Sequence, residues 1–467
     1  MITLALSDIL IIVLYFCAVL YVGYRTARKS APDEEDFLLA GRSLTLPVFV
    51  MTLVSTWYGG ILGVGEFSYR YGISNWIVQG VPYYIFAAIF AAILAKKIRA
   101  SNLTSIPDKL QSAYGTKTAL LGALLTFILM TPAPYILMLS VLLQMMFGWS
   151  LLLSLLVISV VAISYLYWGG FRSDVDTDVL EFILMFVGFA VILPYAFHKY
   201  GGVSFLTSNL PPLHLTWHGG NSWQFILVWF FIALWTLVDP AFHQRCYAAK
   251  SGEVAQKGIL VSIGFWLLFD AMTATAGLYA RAALPGLPDP VMAYPMLAEA
   301  VLPPIAKGLF YAGMLATIMS TLNTLAFVSA QTLGRDLWQR WRSPSVPSLR
   351  YTKISLIVSF LVSIAIALLI PSVIKIWYTI GTIVIPGLLV PLMAGYFDRA
   401  NMKGDWAFVS MLLGWGTSVT WLILGYTGGA MGTYPLGVEP MYPGLVVSIA
   451  VWAIGRSVGP TFLSVKD

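Results

Sequence analysis

Thirteen apolar runs follow one another along this chain, each close to the length a helix needs to cross a bilayer. A crossing helix takes about 20 predominantly apolar residues. The runs fall at about residues 4–24, 44–69, 76–94, 118–147, 151–168, 177–197, 223–245, 258–278, 304–333, 354–369, 374–396, 406–424 and 445–458. Only 10% of the 467 residues are charged, against about 25% in an ordinary soluble domain. A soluble fold of this size needs a charged skin that this chain does not have. A cytosolic enzyme, a disordered chain and a secreted disulfide scaffold are therefore set aside. The reading is an all-α polytopic membrane protein whose solvent is the lipid bilayer. Cys17 and Cys246 lie far apart and imply neither a disulfide framework nor a metal site.

The distribution of charge orients the spans. The leading segment "MITLALSD" has no Lys or Arg and carries Asp8, whereas Arg25, Arg28 and Lys29 follow the first run. That is the pattern of an uncleaved helix with its N-terminus outside. Alternating the loops from there puts 22 of the 27 Lys and Arg residues inside and five outside. The expectation is N-terminus out and C-terminus in, in the cytoplasmic membrane. The net charge of +6 then belongs to the inner loops and gives no reason to expect nucleic acid. Beyond residue 458 only a short tail remains, and neither an attached soluble domain nor an obligatory protein partner is expected.

Polar groups at membrane depth are expensive, so each needs a reason. In span nine, Thr317, Ser320, Thr321 and Thr324 stand at i, i+3, i+4 and i+7, which places four hydroxyls on one helix face with Asn323 at its edge. Such a stripe offers oxygen ligands to a hard cation; back-bonding within the helix or close helix packing fits the same pattern. Span two carries Gly59, Gly60, Gly63 and Gly65 near its middle. Each glycine costs about 1 kcal/mol relative to Ala in a helix interior. The spacing predicts an unwound stretch at residues 55–60, as in transporters that bind ions at broken helices, with glycine-mediated packing as the alternative. In span seven, Asp239-Pro240 predicts a second break at about residues 236–240. The two breaks open two groups of five spans. Five is odd, so the second group must be inverted relative to the first, which is the plan of inverted-repeat secondary transporters.

Other charges are weighed singly. Asp174 and Asp176 are expected in a solvated loop with Arg172, while Asp178 either joins a cation site or favours a helix N-terminus. Glu181 follows three residues after Asp178. Asp270 is an isolated acid within span eight, open to proton coupling, gating or a hydrogen bond. Glu66 is expected near the outer interface. His198, His214 and His218 lack a metal-binding spacing, and there is no phosphate-binding loop or nucleophile elbow. The energy source is therefore expected to be a gradient.

Four stretches carry a resemblance that covers most of the chain: "DFLLAGRSL" before span two, "GGFRSDVDTDVLE" at span six, "DPAFHQRCYAAKSGEVAQKG" in and after span seven, and "LATIMSTLNTLAFVSAQTLGRDLWQR" in span nine. In order and spacing the chain resembles the sodium/solute symporter family, which includes sugar, proline, pantothenate and sialic-acid carriers. The resemblance implies a LeuT-type 5+5 inverted repeat of ten helices, with one helix before it and two after. The expected division is 1–43 (first helix and loop), 44–199 (first repeat), 200–221 (outer loop), 222–397 (second repeat) and 398–467 (two helices and tail). It also implies sodium as the coupling ion. The main site would use backbone carbonyls of Leu53, Thr56 and Thr317 with the hydroxyls of Ser320 and Thr321. A second site, present in some members, would use Asp178, Ser320, Asn323 and Thr324. Ser55 stands where several members carry Asn or Asp, and Gly59-Gly60 replaces the acid and amide side chains of sugar carriers, which argues against a hexose. Ser55, Trp57, Tyr58, Gly59 and Gly60 are the expected solute-site positions, the two aromatic rings suiting an apolar or cationic part of a small organic solute. The implied function is sodium-coupled symport by alternating access, with a proton-coupled or uncoupled carrier, or a solute sensor, as the rival readings.

Overall fold

A helix of 50 residues would be about 75 Å long, more than twice the hydrocarbon thickness. The chain resolves this conflict at one glycine. In the computed structural model, which describes residues 2–29, 33–342, 348–427 and 434–457, the helical segment Leu151–Tyr200 is bent at Gly170, whose φ of 56° and ψ of −143° lie outside the helical region. An added Cβ there would fall 2.5 Å from the Phe37 carbonyl oxygen, so the bend needs glycine for both conformation and space. The two legs are spans five and six.

Among the described residues, eleven helical segments are long and apolar enough to cross a membrane. Dividing Leu151–Tyr200 at Gly170 and adding Met441–Ser457, a 17-residue apolar helix just below that length, gives the thirteen spans expected. The tail from residue 458 lies outside the described residues.

The loops sort onto two faces. On one, Arg42 donates to the carbonyls of Leu103 and Tyr247, both at 3.1 Å, Arg99 to that of Ala249, and Arg335 pairs with Glu34 and Asp108. A single parallel bridge joins Leu44 to Ala249 on the same face. On the other face, His214 Nε2 meets the Tyr69 carbonyl at 3.0 Å, Tyr279 donates to Gly201, and Lys199 to Ala300. Every loop in each set has the same parity in the chain, as thirteen alternating crossings require.

Span nine, Ala306–Arg342, is the axis around which the others pack. Every residue from Ala306 to Gln331, except half-exposed Leu309, is buried. Asp8, fully buried, explains how such a helix can start inside the protein: its Oδ1 accepts from the N–H groups of Ile305 and Gly308 at 2.8 and 3.0 Å. The acid thus satisfies two donors that a helix start leaves open. Span one shows the opposite surface logic. Leu6, Leu10 and Leu14 form an exposed stripe at i, i+4 and i+8, while Ile12, Tyr15 and Val19 face inward. A greasy outer stripe is what a lipid solvent asks for.

Candidate ion and solute site

Both expected breaks are present, the first shorter than expected and the second beginning earlier, at Ala233. Span two stays α-helical from Leu46 to Trp57, tightens into a 3-10 turn at Tyr58–Gly60, and resumes at Ile61–Tyr71. The unwinding expected from residue 55 therefore begins at Tyr58, and Ser55 and Thr56 keep helical backbone. The reason is contact with span nine: a Cβ on Gly59 would fall 2.3 Å from the Thr321 Cβ and Oγ1. The glycines let two helices touch, and the tighter turn absorbs that approach. In span seven the helix is interrupted at Ala233-Leu234 and again at Asp239, which is extended with ψ of 114°. Asp239 Oδ1 accepts from the N–H groups of Ala241 and Phe242 at 2.7 and 3.1 Å, capping the helix Pro240–Ala248.

The hydroxyl face of span nine divides into two ends. At the first, Thr321 Oγ1 donates to the Thr56 carbonyl at 2.6 Å and lies 3.5 Å from the Thr317 carbonyl. Three of the five expected main-site oxygens thus converge, with no charged side chain among them. Leu53 lines the adjoining cavity, but from α-helical backbone, where its carbonyl is ordinarily committed to the helix. The Thr317 hydroxyl bonds back to Gly313 at 2.7 Å, the competing role foreseen for such residues.

At the second end the polar groups are tied to a fixed cation. Ser320 donates to Asp178 and lies 3.0 Å from Ser55 Oγ. Thr324 donates to Asp174 at 2.7 Å, and Thr52 donates to Asp178. Arg245, fully buried, places Nη2 3.1 Å from Asp178 Oδ2, 2.5 Å from Thr56 Oγ1 and 3.0 Å from Thr324 Oγ1. Phe171 lies under the guanidinium at 5.6 Å. Of the four residues expected at a second sodium site, Asp178, Ser320 and Thr324 are together, whereas neither amide atom of Asn323 makes a hydrogen bond.

Two expectations change here. Arg245, counted among the inner-loop charges, sits in the core because the helix after Pro240 carries it back between spans two, six and nine. Asp174, expected in a solvated loop, is fully buried; of that group Asp176 is exposed and accepts from Thr26 at 2.6 Å, while Arg172 pairs with Asp36. Glu181 is buried against the Tyr15 hydroxyl at 3.0 Å. Thr52 and Arg245 were missed as site residues, although "DPAFHQR" already put a cation six residues after a broken helix.

A cavity of about 160 Å³ adjoins the first end, reaching Thr56, Trp57, Tyr58, Gly60 and Thr321. Ser55 and Gly59, both expected to touch solute, do not line it. Asp270 does, and accepts from the Tyr84 hydroxyl of span three. Glu66 forms an i, i+4 pair with Arg70 at 2.9 Å, as befits an interfacial residue. His198 is exposed, and His218 Nδ1 only accepts from the Gly220 N–H. Among the described residues no cluster of His, Cys, Asp and Glu could hold a metal ion; Cys17 and Cys246 are both free.

Comparison with known proteins gives the family and the fold. The chain is 26% identical to the sodium/pantothenate symporter of Escherichia coli strain K12, over 97% of both chains. Among solved structures it is similar to a substrate-bound, outward-open Na+-coupled sialic acid symporter, with a TM-score of 0.78, 16% identity and coverage of 99% and 100%. It is also similar to Mhp1, a nucleobase-cation-symport-1 family transporter in a closed conformation, with a TM-score of 0.61, 13% identity and coverage of 93% and 97%. These two likenesses are of fold, the LeuT-type inverted repeat. The sodium:solute symporter family model matches residues 37–414, most of the chain including both breaks and the whole hydroxyl face, and the chain belongs to that family.

Proposed function

We propose that one sodium ion, held between the Thr56 carbonyl and the Thr317–Thr321 end of span nine, drives symport of a small organic solute through the adjoining cavity. The observation that carries this reading is the convergence of uncharged oxygens from two helices at the wall of a solute-sized space. Sodium is a hard cation and takes oxygen ligands. On binding it replaces the direct Thr321–Thr56 hydrogen bond and ties span nine to span two. A tie that forms only when the ion is present links the state of the ion site to the shape of the cavity.

The second end is assigned a structural role. Arg245 already supplies positive charge to Asp178 and Thr324, so a second sodium there would sit against a fixed cation. Coupling is thus one ion per solute. A membrane potential of 100 mV contributes about 2.3 kcal/mol per charge, enough for roughly a fifty-fold solute gradient.

In this reading the repeats are residues 44–199 and 222–397, flanked by 1–43 and 398–467 and joined by the outer loop 200–221. The N-terminus is outside and the C-terminus inside, and the protein resides in the cytoplasmic membrane with no obligatory protein partner. The test is uptake of a panel of small solutes into proteoliposomes, with and without a sodium gradient, for wild type and for Ser320→Ala with Thr321→Ala. Sodium-driven uptake that the double change abolishes is expected. Uptake indifferent to both removes the proposal. Asp270 at the cavity wall supports one rival, a proton-coupled carrier. Uptake driven by a pH gradient without sodium, and lost in Asp270→Asn, would favour it.

A further inference from the structure

The wall of the cavity has a composition that selects among solutes. Four indoles line it: Trp57 beside the first break, Trp229 and Trp235 on either side of the interruption at Ala233-Leu234, and Trp377 from span eleven. Tyr135 joins them, 5.8 Å from Trp377 between ring centroids. The placement of the rings is built into the backbone. A Cβ on Gly60 would fall 2.4 Å from the Trp377 ring, and one on Gly381 3.3 Å from the Trp235 ring. Glycine at those two positions is what admits the indoles to the site.

The charges on the wall have one sign. Asp239 and Asp270 line the cavity, and none of the residues lining it is Lys, Arg or His. Arg245 lies behind the wall, bonded to Asp178, Thr56 and Thr324, and does not itself line the cavity. An anionic solute would therefore meet two carboxylates and no basic side chain in a low-dielectric space, where charge interactions are strong. A cation would meet carboxylates and the negative faces of aromatic rings.

The kind of cation follows from the abundance of aromatic rings. A protonated primary amine carries three N–H donors, each needing a partner. Here one oxygen of Asp239 already accepts from the Ala241 and Phe242 N–H groups and one oxygen of Asp270 from Tyr84, whereas Trp57, Trp229, Trp235, Trp377, Tyr83 and Tyr135 all line the cavity. Aromatic rings are what the wall supplies in quantity, and an alkylated ammonium centre is held by rings without a hydrogen-bond acceptor. Resting on the reading of this cavity as the solute site, we infer that the transported solute is a small organic cation with its charge on an alkylated ammonium centre, packed among Trp57, Trp235 and Trp377 with Asp239 and Asp270 as its counter-charges.

The full chain, purified in detergent, is titrated with choline, tetramethylammonium, pantothenate, L-proline and D-glucose in sodium chloride and in potassium chloride, with intrinsic tryptophan fluorescence as the readout. Choline or tetramethylammonium is expected to give a saturable change at the lowest concentration of the panel. Trp235→Leu should weaken that binding about tenfold or more, the loss of one desolvated cation–ring contact, with Trp235→Phe retaining most of it. Sodium-dependent thermal stabilisation of each variant shows that it is folded. Ammonium binding that is equal in sodium and potassium would remove the coupling proposed above and leave the cation class standing. Tighter binding of pantothenate, proline or glucose, or no response to either ammonium ion, overturns the cation class whatever sodium does. Wild-type competition among the five probes decides the same question without any variant.

Discussion

The two ends of the hydroxyl face on span nine are less than two helical turns apart, yet they handle charge in opposite ways. Around Thr317 and Thr321 the partners are backbone carbonyls, and neither hydroxyl is bonded to a charged side chain. Around Ser320 and Thr324 the partners are Asp178, Asp174 and the guanidinium of Arg245. In the proposed reading the first end gains a cation and loses it again. The second carries its cation covalently, and a buried pair of that kind is costly to separate. The comparison teaches that a row of oxygens does not by itself mark an ion site; the nearest fixed charge decides whether the ion is mobile or built in.

The largest effect is expected from breaking the built-in end. Arg245→Met leaves Asp178 charged and buried with no cationic partner, a loss of about 3–5 kcal/mol. It should appear as a large drop in melting temperature in detergent, with or without sodium. Combining it with Asp178→Asn should recover much of that loss, since the orphaned charge is gone, and the non-additivity measures the pair. A melting temperature unchanged in Arg245→Met would mean the guanidinium is not the resident cation of this end.

Next in size is the mobile end. Thr321→Val keeps the shape and removes one oxygen, and a hydrogen bond or ligand contact to a charged group is worth about 1.5–3 kcal/mol. Sodium affinity should fall roughly ten- to a hundred-fold, read from the sodium dependence of thermal stability. Stability in potassium should change far less. Equal loss in both salts would turn Thr321 into a packing residue and erase the distinction between the ends.

Much of this architecture is legible in the chain because a bilayer imposes a length. Each crossing needs its own apolar run, so thirteen spans and their alternation stand out. Span nine was legible for a related reason: hydroxyls at i, i+3, i+4 and i+7 have no solvent to face at that depth. Arg245 was not legible, because a Lys or Arg at the end of an apolar run reads as a loop charge until a partner such as Asp178 is placed beside it. Asp174 failed in the same way, its burial depending on Thr324, 150 residues away. The first break was found by its glycines but set too early, since its start at Tyr58 is decided by how closely Gly59 approaches Thr321.

That approach supplies a smaller test. Gly59→Ala puts a methyl group 2.3 Å from Thr321, and overpacking of this kind costs about 1–3 kcal/mol. It should push spans two and nine apart at the mobile end, lowering sodium affinity more than it lowers stability in potassium. A change confined to stability would place the strain elsewhere. The smallest effect is expected at Asn323, whose buried amide makes no hydrogen bond. Asn323→Ser should leave melting temperature and sodium affinity within about 0.5 kcal/mol of wild type. A clear gain of sodium affinity would instead show that the second end can accept an ion beside Arg245.

The most direct measurement is equilibrium binding of radiolabelled sodium to the purified chain, counted per molecule, for wild type and Thr321→Val. One saturable ion per chain, lost in the variant, is the predicted result. Two ions per chain, or one that binds equally well without the Thr321 hydroxyl, would contradict a single mobile-cation site facing a built-in one.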